Sequence, residues 1–167
     1  PYIPSSFPAA SSSALPSLLG LNPNWRIEAT NLAIHGMWIR KNFWKSHIQF
    51  SFPRITPTKW GFNVPAPITQ DNLEQMILAF RLFFHEADLI LSTRETLEFR
   101  LHMAESCLSH MSAASQVNPG GYQDHLDGKS LGQFKMHDES TVETVAAGLR
   151  AHGLEPVFKD WDMSFAG

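Results

Sequence analysis

The sequence predicts an α/β protein in which parallel strands, joined by helical crossovers, form an incomplete (β/α) barrel. One observation is that short apolar segments alternate with amphipathic helical stretches along the chain. A second is the length of 167 residues, because a closed eight-stranded barrel usually needs about 250 residues and at least about 200. The chain therefore accommodates at most half of a barrel. Since an isolated half leaves strand edges and a sheet face open, we expect other protein to cover that face.

The first twenty residues differ in composition from the rest of the chain. Residues 1–20 hold four prolines and six serines without a periodic apolar pattern, which predicts an extended arm before a half-barrel domain at 21–167. A disordered tail, an arm lying on a partner and the stump of a processed targeting segment are all compatible with this composition.

Helices and strands then alternate in a regular order. A three- and four-residue apolar period predicts a helix near 24–45, and HIQFSF predicts a strand at 47–52. After a loop rich in proline and glycine, Thr69 is a candidate N-cap for a second helix. The apolar stripe of this helix consists of Leu73, Met76, Ile77, Phe80, Phe83 and Phe84.

The same alternation continues to the end of the chain. Strands are predicted at 87–92 and 107–112, with a helix carrying Leu97, Leu101 and Ala104 between them. A last helix is predicted near 140–152, with Gly153 as its stop and Val142, Val145, Ala146 and Leu149 facing inward.

Composition excludes several classes of function. A formal net charge of −3 argues against a nucleic-acid partner, which usually binds a basic patch, and no apolar run is long enough to predict a membrane span. Cys107 is the only cysteine, so it cannot form an intrachain disulfide or a cysteine metal cluster, and we interpret it as a small buried strand residue. The eight histidines lack the short spacings of zinc sites, so no metal site is predicted.

Polar residues follow the second predicted strand directly, at the end where parallel α/β folds place ligand-binding groups. They are Ser92, Thr93 and Arg94, and the guanidinium of Arg94 is suited to bind an amino-acid carboxylate through two parallel hydrogen bonds. Alternatively, Arg94 pairs with Glu95 or Glu98, while Ser92 and Thr93 cap the following helix.

Two further groups are candidates for the same site. Arg54 follows the first predicted strand and either contacts a ligand or bonds carbonyl groups at the rim of the barrel. A loop after the third strand contains Asn118, Gly120, Gly121 and Tyr122. Its glycines either let the backbone approach a ligand closely or only form a turn.

Four motifs in register resemble a known enzyme family. FSFPRITPT, LILSTRETLEFR, HMSAASQVNPGGY and EPVFKDWD resemble the C-terminal half of 2-iminoacetate synthases (ThiH), the radical-SAM tyrosine lyases of thiamine thiazole biosynthesis. The hydrogenase maturase HydG is a near relative, and the resemblance runs from about Leu18 to Met163. It implies the C-terminal half of a radical-SAM TIM-like barrel, in which Ser92, Thr93, Arg94 and Arg54 bind substrate.

The family also implies a [4Fe–4S] cluster and S-adenosylmethionine, bound through three cysteines in the N-terminal half. A single cysteine cannot supply three thiolates, so neither cofactor is expected unless a partner half is supplied. The leading hypothesis is therefore a non-catalytic structural subunit of a larger assembly, and this hypothesis is compatible with a plastid or a mitochondrion as its compartment. The alternative is the C-terminal part of a split or truncated 2-iminoacetate synthase working with a separate radical-SAM half.

Overall fold

Four parallel strands and four helices make up the part of the chain that the computed structural model describes, residues 12–16, 19–55, 63–115 and 138–158. In chain order they are β1 (Ser12–Pro16), α1 (Trp25–Asn42), β2 (His47–Ser51), α2 (Gln70–Phe83), β3 (Asp88–Leu91), α3 (Leu97–Ser106), β4 (His110–Met111) and α4 (Val142–Ala151). The strands lie side by side in the order β1-β2-β3-β4, and every pairing is parallel. The predicted α/β class, with parallel strands and helical crossovers, is confirmed.

Strand β1 lies in the segment that the sequence predicted to be an extended arm, and that prediction is wrong for residues 12–16. Leu15 pairs with Phe50 of β2, and Leu15 and Leu19 are both buried. Pairing with β2 and burial of these leucines outweigh the Pro/Ser composition, and Pro16 is tolerated at the end of an edge strand. Residues 1–11 lie outside the described part of the chain.

The two faces of the sheet differ in polarity. Ile48 and Phe50 of β2 and Leu89 and Leu91 of β3 are buried, while alternate residues of each strand are more exposed. Phe50 faces the helices, because its ring contacts Phe80 and Phe84 with centroids 5.0 and 4.8 Å away. Because side chains alternate along a strand, the opposite face carries His47, Gln49 and Asp88. The apolar core therefore lies on the helix side of the sheet.

Helix boundaries follow local hydrogen bonds. The backbone N–H of Asn72 donates to the Thr69 hydroxyl over 3.2 Å, which confirms the predicted N-cap. Gly153 has a positive φ of 76°, and the N–H of Leu154 donates to the carbonyl of Leu149 over 2.9 Å. This geometry confirms Gly153 as the stop of α4.

The third predicted strand is shorter than expected. Only His110 and Met111 pair with β3, whereas Cys107 caps α3 and donates its N–H to the carbonyl of Met103 over 2.9 Å. Cys107 is buried as predicted, but it ends a helix instead of lying in a strand. The N–H of Cys107 bonds to α3 instead of to the sheet, because the last carbonyl groups of a helix need donors.

The predicted helix faces are largely correct. All members of the α2 stripe are buried except Phe83, which is 52% exposed. In α4, Val145 and Ala146 are buried, but Val142 is 36% exposed. Helix α3 also buries Phe99, Arg100 and Met103, which the sequence pattern did not identify.

Candidate functional site

The carboxyl ends of β2, β3 and β4 meet at one edge of the sheet, because the strands are parallel. Arg54 follows β2, a tight turn at 92–95 follows β3, and Ser112 follows β4. The turn is closed by a hydrogen bond of 3.1 Å from the Glu95 N–H to the carbonyl of Ser92. The predicted edge site is therefore assembled from three consecutive strand ends.

Arg54 and Glu95 form a partly buried ion pair at this edge. The Nε of Arg54 donates to Oε1 of Glu95 over 2.9 Å, and its Nη2 contacts Oε2 of the same carboxylate. The third nitrogen, Nη1, donates to the carbonyl of Ile68 over 3.0 Å. The side chains of Arg54 and Glu95 are 25% and 4% exposed. Two parallel bonds fix the guanidinium plane against the carboxylate.

A second ion pair lies beside the first. Arg100 of α3 is fully buried, its Nη2 contacts Oδ2 of Asp138, and its Nη1 contacts the carbonyl of Ser112. The N–H of Asp138 donates to the carbonyl of Thr93 over 3.1 Å, so this pair also contacts the 92–95 turn.

Two opposing effects act on the pKa of Arg100, which lies near the turn. Burial lowers the pKa of Arg100, and the nearby carboxylate of Glu95 opposes this effect by raising it. Because an arginine stays protonated even when its pKa falls, Arg100 remains a cation. Two guanidinium groups, of Arg54 and Arg100, are therefore paired with the carboxylates of Glu95 and Asp138 at the carboxyl ends of the strands.

A different polar cluster lies at the amino ends of β2, β3 and β4. Asp88 contacts the Nε2 atoms of His47 and His110 at 2.6 and 3.2 Å. Burial by itself would raise the pKa of Asp88, but the hydrogen bonds and charges of the two histidines lower it overall. This cluster contains none of the site residues predicted from the sequence.

The structure brings Ser92, Thr93, Arg94 and Arg54 together at the carboxyl edge. The expected helix cap at Ser92 and Thr93 is wrong, because the Thr96 hydroxyl caps α3 by accepting the Phe99 N–H over 3.3 Å. Glu95 pairs with Arg54, and the carbonyl bond of Arg54 to Ile68 matches its predicted rim-capping role. The candidate loop residues Asn118, Gly120, Gly121 and Tyr122 lie outside the described residues, as does the KDWD motif at 159–162.

Sequence reasoning missed Arg100 and Asp138. They are separated by 38 positions, so no local pattern joins them. One signal was present, since Arg100 lies between core residues Phe99 and Met103 on α3, and a cation on a buried helix face needs a partner.

Among the described residues, no group of three His, Cys, Asp or Glu side chains is suited to hold a metal. None of the described helices is long and apolar enough to cross a bilayer. Cys107, the one thiol in the sequence, is buried at the end of α3, and burial raises its pKa. Residues of this chain therefore do not fit a cluster that needs three thiolates.

The fold and this edge define a class: a segment of a parallel α/β barrel with polar residues grouped at its carboxyl edge. Residues 51–155, more than half of the chain, match the family profile described as Biotin and Thiamin Synthesis associated domain. The chain belongs to this family.

Two curated relatives are the 2-iminoacetate synthases of Salmonella typhimurium and Escherichia coli. The chain is 43% and 41% identical to them over 148 residues, which cover 89% of this chain. It spans 39% of the length of each relative. The resemblance to 2-iminoacetate synthase is confirmed.

A solved structure shares the fold. The FeFe-hydrogenase maturase HydG from Carboxydothermus hydrogenoformans matches with a TM-score of 0.75 at 26% identity, covering 89% of this chain and 33% of that chain. A second HydG crystal structure also has a TM-score of 0.75, at 24% identity, and covers 87% of this chain and 31% of that chain. These matches confirm the incomplete radical-SAM-type barrel.

Proposed function

We propose that this chain forms the C-terminal part of a 2-iminoacetate synthase and binds the carboxylate of tyrosine at its carboxyl edge. The observation that carries the proposal is the 92–95 turn, which follows the carboxyl end of β3 in a chain 43% identical to such an enzyme. Parallel α/β barrels bind their ligands at this end of the strands. A guanidinium at this end suits a substrate that is an amino acid.

In the proposed reaction, tyrosine is cleaved by a radical mechanism to p-cresol and dehydroglycine. This chain's residues bind and orient the substrate instead of reacting with it. Arg94 donates two parallel hydrogen bonds to the carboxylate, and Ser92 lies beside it in the turn. The cluster and S-adenosylmethionine belong to an N-terminal half, in the same polypeptide or another, that also covers the open sheet face.

A chimeric enzyme tests this function directly. This chain replaces the matching 148-residue segment of the Salmonella typhimurium enzyme, and the chimera is loaded with its cluster under anaerobic, reducing conditions. We expect formation of p-cresol from tyrosine, measured by chromatography. A folded, cluster-loaded chimera that leaves tyrosine intact would reject the proposal.

The Arg94→Lys variant of the chimera tests the binding role. Lysine keeps the charge but loses the paired donors, and a charge-assisted bond contributes about 1.5–3 kcal/mol, so we expect KM for tyrosine to rise about 10- to 100-fold. Arg150→Lys, on the exposed surface of α4, is the matched control and should leave KM unchanged. Equal KM values for both variants would argue against a carboxylate contact at Arg94.

A second candidate is a non-catalytic structural subunit of a larger assembly. It is supported by the single cysteine and by a groove of about 630 Å³ beside β4, lined by residues that include Met111, Val145 and Leu149. In this case the native protein should purify in a stoichiometric complex, and the chimera should be inert. Recovery of the native protein as a monomer without other chains would contradict this candidate.

A further inference from the structure

The 92–95 turn is held from two directions by groups distant in sequence. The Glu95 side chain is bonded by Arg54 after β2, and the carbonyl of Thr93 accepts the N–H of Asp138 before α4. Within the turn, the Glu95 N–H bonds to the carbonyl of Ser92, and the Arg94 N–H makes a long 3.4 Å contact with the Ser92 hydroxyl. Groups distant in sequence therefore add to the local bonds that fix its conformation.

Arg54 is already committed to structural contacts. All three of its guanidinium nitrogens have partners, two on Glu95 and one on the carbonyl of Ile68. A substrate carboxylate would have to compete with a carboxylate that is 4% exposed, and breaking such a buried pair leaves an uncompensated charge. The geometry suits Arg54 to hold Glu95 better than to bind substrate.

Arg100 and Asp138 support the same turn from its other side. Asp138 donates its N–H to Thr93, while its carboxylate contacts Arg100 and accepts the Ser140 N–H over 2.8 Å. Arg100 also contacts the carbonyl of Ser112. The end of β4 and the start of α4 are thus tied to the turn through one buried guanidinium.

Stability alone does not explain why two ion pairs lie at this turn. Apolar side chains of similar volume often replace buried ion pairs at no loss of stability. Among the described residues, the Nε of Arg100 is moreover a buried side-chain donor without a hydrogen-bond partner, which lowers stability. Ion pairs do provide a fixed orientation, through the fork of the guanidinium.

We propose that Arg54, Glu95, Arg100 and Asp138 are positioning residues that hold the 92–95 turn so that it presents Arg94 to the substrate carboxylate. The substrate part of this inference rests on the proposed function, while the anchoring of the turn does not. It assigns Arg54 a positioning role in place of the substrate contact predicted from the sequence.

Amide hydrogen exchange on the chain itself tests the anchoring. Glu95→Gln and Asp138→Asn keep side-chain shape but remove the charge of each pair, so we expect the Glu95 and Asp138 amides to exchange at least about 10-fold faster than in the parent. Ile77→Val is the control, because Ile77 is fully buried in α2 and this change lowers global stability without touching the turn. If Glu95→Gln fails to fold, Arg54→Lys replaces it, since it retains the charge and loses the paired bonds.

Steady-state kinetics of the chimera test the substrate role. We expect the Glu95→Gln and Asp138→Asn variants to raise KM for tyrosine about 10-fold while kcat stays within about threefold, and Ile77→Val to change neither. Exchange at the two amides equal to that of the control would overturn the anchoring. KM equal to that of the control, in an active chimera with faster exchange, would overturn the substrate role.

The two proposals fail in different ways. An inert parent chimera rejects the proposed function and with it the substrate role, whereas the exchange experiment still decides whether the four residues hold the turn.

Discussion

Asp88 shows how a single residue depends on its neighbours across the sheet. Its carboxylate bridges His47 on one adjacent strand and His110 on the other, on the face opposite the apolar core. The two contacts oppose the cost of burial and leave the pKa of Asp88 below its ordinary value of 3.8. The ionised form is therefore stabilised by folding.

This pKa shift predicts a pH-dependent stability difference between the wild type and Asp88→Asn. A group whose pKa is lowered in the folded state stabilises the protein above its unfolded pKa, and this contribution is lost as pH falls through the folded value. We expect the wild type to be more stable than the variant by roughly 1–2 kcal/mol at pH 6, with the difference vanishing as pH falls below 3.8. Urea unfolding at several pH values measures it, and a difference independent of pH would contradict the assignment.

At the scale of elements, the contact between α1 and the sheet depends on a residue without a side chain. A Cβ added at Gly36 would lie 2.6 Å from Cζ of Phe50 and 3.2 Å from Cζ of Phe84. These rings pack against each other, so they have little room to move. The absence of a side chain at this position lets α1 approach β2 closely.

Gly36→Ala should therefore destabilise the fold. Alanine favours a helix over glycine by about 0.8–1 kcal/mol, but overpacking typically costs about 1–3 kcal/mol, so we expect a net loss of up to about 2 kcal/mol in the free energy of unfolding. Denaturant unfolding checks this, with Asn31→Ala on the exposed side of α1 as the control. Greater stability of Gly36→Ala than of the parent would show that the rings yield.

For the whole molecule, the main feature is a four-stranded sheet with two edges. Within the described residues, β1 and β4 each pair with one strand only, and the face away from the helices carries His47, Gln49 and Asp88. Edge strands expose backbone donors and acceptors that invite pairing with another chain. This architecture is that of an incomplete barrel, which under the proposed function an N-terminal half would complete.

Completion of the barrel predicts a change in hydrogen exchange. In the chimera with the Salmonella typhimurium enzyme, amides of β1 and β4 should exchange at least about 10-fold more slowly than in the separate chain, because new strands cover the edges. Amides within α2, which packs on the middle of the sheet, serve as the internal reference. Equal protection of both edges in the two proteins would contradict completion at these strands.

The predictable features depended on nearby residues. Thr69 as a cap, the α2 stripe and the stop at Gly153 each arise from contacts within a few positions, and local propensity acts at that range. The position of β4 was less predictable, because the end of α3 and the start of a strand compete for the same residues. Strand β1 was missed since its pairing with β2 overrides a Pro/Ser composition.

By itself, the sequence determined the α/β class, the order of most elements, the family resemblance and the position of Arg94 after a buried strand. Only the tertiary structure decided that Arg54 pairs with Glu95 across 41 positions and that Arg100 pairs with Asp138 across 38. The physical reason is range: caps and periodicity act within a turn or two, whereas buried charges select partners brought together by the packing of the sheet.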